Sequence, residues 1–334
     1  MSVFATATGI GSWPGTSARA AAEVVVGELG TLPYLPELPA RGVGADLIGR
    51  AGALLVDIAL DTVPRGYRIA ARPGAVTRRA VSLLGEDLDA LEEAWERAGA
   101  GTRPVKVQAP GPITLAAQLE LGNGHRAITD AGAVRDLTAS LAEGVAVHRA
   151  EVARRLGTTV VVQFDEPLLP AALAGRLAGA SALNPVHPID AARAVTLLDD
   201  CVQRVGGEVM LHCCAPDLPW EVLRRSRIEA VSVDPALLDD AGLDGLGEFI
   251  DAGRAAVLGV LPTTAPARPP SFEEIAAAAA AVTDRLGFAR PVLAARIGLS
   301  ASCGLAGATE AWARTATGLS QRAADALAEA PDDV

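Results

Sequence analysis

The alternation of short β-rich segments with longer helical patterns constrains this fold more than any other feature of the sequence. The β-rich segments end in polar or small residues, and a helical pattern follows most of them. Alternation of this kind produces a mostly parallel sheet, which is either open and doubly wound or closed into a barrel. The predicted strands are Val3–Ser12, Val105–Ala109, Thr159–Asp165, Glu208–Cys214, Ala230–Asp234, Ala255–Val260 and Val292–Ser300.

The number of strand and helix units favours the closed architecture. Roughly seven to eight units fit the 334 residues of the chain as a (β/α)8 TIM barrel. We therefore predict a single barrel domain over residues 1–330, although two ordinary domains also fit a chain of this length. The less regular, Pro-rich stretch from Gly30 to Arg79 is predicted to be an elaborated early loop or hairpin.

The clearest helix is predicted over Thr129–Leu156. Thr129 and Asp130 are suitable N-cap residues, and the apolar positions that follow have the 3,4 spacing of one helix face. That face is formed by Val134, Leu137, Leu141, Val145, His148 and Val152. The opposite face is charged, as the outer helix of a barrel requires, and we expect His148 to be packed in the core.

Composition excludes several classes of function. The formal net charge of −11 repels phosphate backbones, and no cluster of basic residues is interleaved with aromatic ones, so nucleic acid is not an expected partner. The N-terminus lacks the basic and apolar regions of a secretory signal, and no strongly apolar stretch is long enough to span a membrane. We predict a cytoplasmic protein with no membrane contact. Its four cysteines are too few and too irregularly spaced for a disulfide framework, and are expected to be thiols or ligands.

Unusual residues fall at the C-terminal ends of the predicted strands. Asp165, His212, Cys214, Asp234 and Cys303 lie at or just past such ends. In a parallel barrel this is the face where the loops assemble the active site. The sequence therefore predicts that these side chains approach one another.

The segment VMLHCCAP brings a possible metal site to this face. His212 and Cys214 are two residues apart, so their side chains point to the same side of a strand, and Cys213 points to the other. Zinc favours nitrogen and sulfur ligands, and a catalytic zinc has three protein ligands and an open position. Cys303 is the third candidate ligand, and Asp234 or a water molecule is the fourth.

The residues alone leave a structural alternative open. His212 can be a hydrogen-bonded core histidine, and the cysteines can be small buried hydrophobic residues. Sequence spacing does not establish that Cys303 meets the other two residues.

Five motifs occur in an order that is similar to one protein family. They are GIGSWPG at 9–15, QAPGPIT at 108–114, QFDEP at 163–167, HCC at 212–214 and SCGL at 302–305. In this order they resemble the C-terminal catalytic barrel of cobalamin-independent methionine synthase. The resemblance spans roughly Thr8 to Thr309. It leaves no room in this chain for the family's additional N-terminal barrel, so the expected form is the short, single-barrel one.

The resemblance implies a ligand set for Zn²⁺. His212 and Cys214 match the family's HxC ligands, and Cys303 matches the later cysteine ligand. The fourth ligand of the family is a glutamate at a strand end. Asp234 is the nearest match here, and its side chain is one methylene shorter, so it either ligates from a shifted backbone or leaves the position to water.

The resemblance also implies a homocysteine site. Ile10 and Ser12 match residues that hold the amino-acid end of homocysteine, and Asp165 matches the carboxylate that faces its ammonium group. Structural alternatives remain for these positions, because Ser12 can be an ordinary loop hydroxyl. Glu166 is expected to cap the following segment, while His125 and His187 are interpreted as loop residues.

The implied activity is zinc-dependent methyl transfer to the thiol of homocysteine, which forms methionine. No residue is assigned as a general acid or base.

The donor side of the site differs from that of the family. The family carries a histidine in a GVxDxHS motif that is assigned to proton delivery toward the folate, and residues 259–264 read GVLPTT here. Its GExxR-like segment is represented only by Glu37 and Arg41. The methyl donor is therefore either methyltetrahydrofolate or a methylated corrinoid, the latter free or on a partner protein. Two alternatives remain: an alkyl or methyl transferase acting on another thiol, and a zinc- or homocysteine-binding protein without turnover.

Overall fold

The computed structural model describes residues 2–179, 181 and 184–333. The α-helices in these residues are α1 Ala18–Glu28, α2 Leu47–Ala51, α3 Ala75–Arg97, α4 Pro112–Gln118, α5 Ala131–Leu156, α6 Leu169–Leu173, α7 Ala191–Val205, α8 Trp220–Arg225, α9 Asp240–Asp251, α10 Phe272–Arg285, α11 Pro291–Arg296 and α12 Glu310–Glu329. The strands are β1 Ala59–Val63, β2 Gly66–Ala70, β3 Val105–Pro110, β4 Leu119–Glu120, β5 Val160–Asp165, β6 Val209–His212, β7 Ala230–Val233, β8 Ala255–Leu261 and β9 Ile297–Ala301.

The central sheet consists of six parallel strands in the order β3, β5, β6, β7, β8, β9. Helices connect successive strands, and all residues of β3, β5, β6, β7 and β9 are buried. Burial on both faces is expected for a parallel sheet covered by helices. Polar side chains within these strands, such as Lys106, Gln108 and Gln163, are therefore buried as well.

Two irregular segments continue the sheet from its last strand back to its first. Ala7 forms a parallel bridge with Leu299 of β9, and Tyr34 forms one with Lys106 of β3. The segments that carry Ala7 and Tyr34 are joined to each other by a bridge between Ser12 and Glu37. The sheet thus curls into the TIM-barrel-like fold that the sequence predicts, with six regular strands and two irregular segments (residues 5–12 and 33–37) around its interior.

The predicted strand Val3–Ser12 forms only isolated bridges instead of a regular ladder. Its glycines explain the difference. Gly11 has φ +147°, a conformation that side-chain-bearing residues rarely adopt. A Cβ atom at Gly9 would lie 2.2 Å from the ring of Tyr34. Gly9 thus packs directly against the Tyr34 ring, and Gly11 has a backbone conformation that a regular strand does not contain.

The last predicted strand, Val292–Ser300, is wrong in its first half. Residues Pro291–Arg296 form helix α11, and the strand begins only at Ile297. Pro291 occupies the first turn of this helix, where its fixed φ is favourable and its missing N–H is not needed. The alanines and arginine that follow favour a helix more than a strand.

The predicted long helix and the early hairpin are both confirmed. Helix α5 covers Ala131–Leu156, and the Asp130 side chain accepts a hydrogen bond from Ala133 N at 2.8 Å as its N-cap. His148 is buried on its apolar face. In the early region β1 and β2 form an antiparallel hairpin, and β4 pairs in parallel with β2. Within the described ranges no helix has the length and apolarity needed to cross a bilayer.

Tyr67 of the hairpin holds the loop before α2. Its hydroxyl accepts a hydrogen bond from Gly44 N at 3.0 Å and donates one to the Asp46 carboxylate, which is itself the N-cap of α2. We expect Tyr67→Phe to lower the free energy of unfolding by about 1 to 3 kcal/mol, because a partly buried hydrogen bond to a charged group is lost and the buried Gly44 N–H loses its acceptor. Urea unfolding measures this change. A difference below about 0.5 kcal/mol, the usual range for an exposed substitution, would contradict it.

Candidate metal and thiol site

A cavity of about 260 Å³ opens at the C-terminal ends of the strands. Residues from both irregular segments and from several strand ends line it. They are Ile10, Ser12, Glu37, Pro39, Ala45, Leu47, Asp165, Pro167, His212, Cys214, Cys303 and Gly304. The cavity is therefore lined by apolar walls, two carboxylates and a group of nitrogen and sulfur atoms.

His212, Cys214 and Cys303 come together in the wall of this cavity. One ligand atom from each residue lies within 4.8 Å of the other two. His212 ends β6, Cys214 follows it, and Cys303 lies just past β9, so the curling of the sheet brings the distant cysteine to the other two. The Cys214 thiol donates to Cys303 Sγ, which lowers the pKa of Cys303 and raises that of Cys214. One imidazole and two sulfur atoms are the donor types that zinc prefers.

The His212 ring is oriented for ligation through one nitrogen. Its Nδ1 lies 3.2 Å from Ser232 Oγ, and its Nε2 lies 3.8 Å from Cys303 Sγ. A hydrogen bond at one ring nitrogen fixes the orientation of the ring and leaves the other free to bind a metal. Ser232 is buried in β7 and was not singled out by the sequence.

Asp234 lies apart from this group. Its carboxylate accepts a hydrogen bond from Ala236 N at 2.9 Å and caps the short 3-10 helix Pro235–Leu237. It is absent from the residues that line the cavity and from the cluster of possible ligands. The structure thus brings together three of the four residues expected to hold zinc.

The three residues expected to bind the amino-acid end of the substrate all line the cavity. Asp165 is buried at the end of β5, and its Oδ1 accepts a hydrogen bond from Gln163 Nε2 at 2.7 Å. Gln163 Nε2 also donates to the carbonyl of Ile10 at 2.6 Å. Burial raises the pKa of Asp165 to about 7. Ser12 is packed so closely against Gly304 that a Cβ there would lie 1.9 Å from Ser12 Oγ.

The expected site residues include neither Glu37, which was noted only for the family's GExxR-like segment, nor Lys106, which lies behind the cavity beside Ile10. Glu37 lines the cavity, and its carboxylate lies 3.4 Å from Arg50 Nε. Arg50 in turn pairs with Asp87, which is buried in α3. Burial raises the pKa of Glu37, and the nearby cations Arg50 and Lys106 oppose that shift. A carboxylate in the LPELPARG segment and a lysine inside an apolar strand were the signals available in the sequence.

The hydrogen bonds of Glu166 give it a structural role. Its carboxylate accepts hydrogen bonds from Ile113 N and Thr114 N, both at 2.8 Å, and from Thr114 Oγ1 at 2.7 Å. Its role is structural, as expected, but it caps the N-terminus of the earlier helix α4 and not the segment that follows it. His125 and His187 lie in loops, and neither lines the cavity.

The fold and the site define a class: a TIM-barrel-like protein with a nitrogen and sulfur cluster at the C-terminal face of its sheet. Residues 4–326 match the model of the family described as the cobalamin-independent synthase, catalytic domain, and the chain belongs to that family. No curated protein sequence matches the chain significantly.

Solved structures share the fold at low sequence identity. A B12-independent methionine synthase from Shewanella sp. W3-18-1, in complex with selenomethionine, superposes with a TM-score of 0.62 at 13% identity, covering 97% of this chain and 98% of that one. A methyltransferase from Methanosarcina mazei superposes with a TM-score of 0.56 at 16% identity, covering 96% of this chain and 92% of that one. At these identities the likeness is evidence for the fold.

Proposed function

We propose that this protein is a zinc-dependent methyltransferase that transfers a methyl group to the thiol of homocysteine and forms methionine. The observation that carries the proposal is the convergence of His212, Cys214 and Cys303 within 4.8 Å in the wall of a cavity that Asp165 and Glu37 also line. The cluster suits the sulfur of the substrate, and the carboxylates suit its ammonium group. The Shewanella protein has the same fold and was solved in complex with selenomethionine, which supports a methionine-like ligand for this chain.

The three residues would hold the metal, and their donor set fits it. When bound, zinc lowers the pKa of a thiol and keeps its sulfur available as a nucleophilic thiolate. The protein residues supply the rest of the site. Asp165, held by Gln163, and Glu37, held by Arg50, place negative charge where the substrate ammonium binds. The apolar lining residues Pro39, Ala45 and Leu47 limit the water in the cavity.

Methyl transfer needs no nucleophile from the protein. The substrate sulfur forms a bond to the methyl carbon while the donor's bond to that carbon breaks, and the bonding electrons leave with the donor. A folate leaving group must then be protonated. Residues 259–264 contain neither histidine nor a carboxylate, and none of them lines the cavity. We therefore propose a methylated corrinoid as the donor, because its leaving group requires no proton.

The donor is tested with the purified, zinc-loaded protein and homocysteine. We expect methionine to form with methylcobalamin, and to form at least about 100-fold more slowly with methyltetrahydrofolate, the factor that general acid catalysis typically contributes. Mass spectrometry of the methionine formed measures both rates. Turnover with the folate alone would refute the corrinoid donor and leave homocysteine as the acceptor. Binding of homocysteine without transfer from either donor would instead indicate a binding protein.

A further inference from the structure

The amino-group pocket, which we define as the part of the cavity lined by Ile10, Glu37 and Asp165, has a single, fully buried lysine behind it. Lys106 is the only lysine in the sequence, and the other 28 of the 29 basic residues counted as Lys or Arg are arginines. It is the second residue of β3, with none of its surface exposed. An arginine stays protonated in proteins, whereas a buried lysine readily loses its proton. The only position that carries lysine is thus one where a change of charge is physically accessible.

The contacts of Lys106 suit both of its charge states. Its Nζ lies 3.2 Å from Gln108 Oε1 and 3.4 Å from the carbonyl oxygen of Ile10. It also lies 5.2 Å from the centre of the Tyr34 ring. A neutral amine has two N–H donors, which match the two carbonyl acceptors, and the ring face stabilises the third proton of an ammonium.

The charges around the pocket are already balanced before a substrate binds. Glu37 and Asp165 both interact with Lys106, and Arg50 also pairs with Glu37. Arg50 and Arg41 share Asp87 behind them. With all groups ionised, a substrate ammonium would add an uncompensated positive charge to a buried site, at a cost of several kcal/mol.

We propose that Lys106 is the resident counter-cation of the amino-group pocket and gives up its proton when the ammonium group of the amino-acid substrate binds. This inference rests on the proposed function, since it assumes a substrate with an amino group. The step balances, because the Lys106 ammonium becomes a neutral amine, the released proton goes to the buffer, and no covalent bond to carbon changes. The substrate ammonium then replaces Lys106 as the cation that faces Glu37 and Asp165.

Proton release gives affinity a defined dependence on pH. Burial lowers the pKa of Lys106 to about 7 in the free protein, although Asp165 and Glu37 oppose that shift. A bound ammonium lowers it further, so affinity for the amino acid rises with pH and levels off above about pH 7. Among the other groups that face Lys106, Tyr34 stays neutral because burial raises its pKa. His212 acts on it only through Asp165.

Because Lys106 is the only lysine in the sequence, the loss of its proton can be observed directly. Protein labelled with carbon-13 at the lysine ε-carbon gives one lysine resonance, whose chemical shift reports the charge of Lys106. We expect a midpoint near pH 7 for the zinc-loaded protein alone, and a midpoint at least about one pH unit lower with saturating norleucine. Norleucine has the amino-acid end and the chain length of methionine and no sulfur, so no thiol proton confuses the result.

Calorimetry with Lys106→Met is the matched control. Norleucine binding at pH 6.5, measured in buffers of different ionisation enthalpy, should release more than about half a proton from the wild type and close to none from the variant. Release of the same number of protons by both proteins would assign the proton to the carboxylates and overturn the inference. An ammonium resonance that persists at pH 7 with norleucine bound would overturn it without any variant. If norleucine does not bind the wild type, the amino-acid pocket of the proposed function fails as well.

Discussion

Replacing Cys214 or Cys303 with alanine is expected to remove the bound zinc and the activity together. With one sulfur ligand lost, zinc should fall from about one ion per chain to less than about a tenth in metal analysis of the dialysed protein. A free thiol is only a few per cent thiolate at pH 7, so ionisation alone costs at least about 30-fold in rate. Loss of the positioned sulfur should increase the total loss to the order of 1000-fold.

Cys213 provides the matched control for this experiment. It is the neighbour of Cys214 in the sequence, but it is buried and is absent from the ligand cluster. Cys213→Ala should therefore retain its zinc, and its effect should be confined to packing. Full zinc content in Cys303→Ala would show that Cys303 is not a ligand, even though its sulfur lies 3.8 Å from His212 Nε2.

Asp165→Asn is expected to make the enzyme lose its preference for a thiol that carries an amino group. The asparagine has the same shape but no charge, so the substrate ammonium loses a buried partner. We expect kcat/KM for homocysteine to fall by on the order of 100-fold, with most of the change in KM. The zinc content should be unchanged, because Asp165 is not part of the cluster.

A second thiol separates recognition from general damage. 4-Mercaptobutyrate has the chain and carboxylate of homocysteine and lacks the amino group. Because this thiol has no ammonium group to lose a partner, its kcat/KM should change by less than about threefold in Asp165→Asn. A ratio of that size corresponds to less than 1 kcal/mol. Equal losses for both thiols would assign Asp165 a structural role and would leave the ammonium without its proposed partner.

Sequence reasoning succeeded where one local pattern determines the answer. The strands that end at Asp165 and His212 are rich in β-branched and apolar residues, and the two-residue spacing of His212 and Cys214 predicts that their side chains share a face. It failed where the same apolar residues fit either structure. The first half of Val292–Ser300 is helical because Pro291, directly before it, favours the start of a helix.

The amino-group pocket was harder to predict because its charges are compensated across the barrel. Glu37 comes from an irregular segment, Lys106 from β3 and Arg50 from α2, and no periodicity links them. For Asp234 the predicted position at a strand end was correct, but the local backbone decides the role of its carboxylate. It occupies the expected strand end, but the backbone turns immediately into a 3-10 helix, and the shorter carboxylate accepts a bond from that turn.

The two irregular segments that complete the barrel carry cavity residues that the regular strands do not. Ile10, Ser12 and Glu37 line the cavity from residues 5–12 and 33–37, whereas Asp165 and His212 end regular strands and Cys303 follows one. Changes in the irregular segments can thus alter which thiol is accepted while the hydrogen-bonded strands keep the sulfur ligands in place. For protein engineering, this makes residues 5–12 and 33–37 the region to randomise when a new acceptor is sought, with the metal-binding half left unaltered.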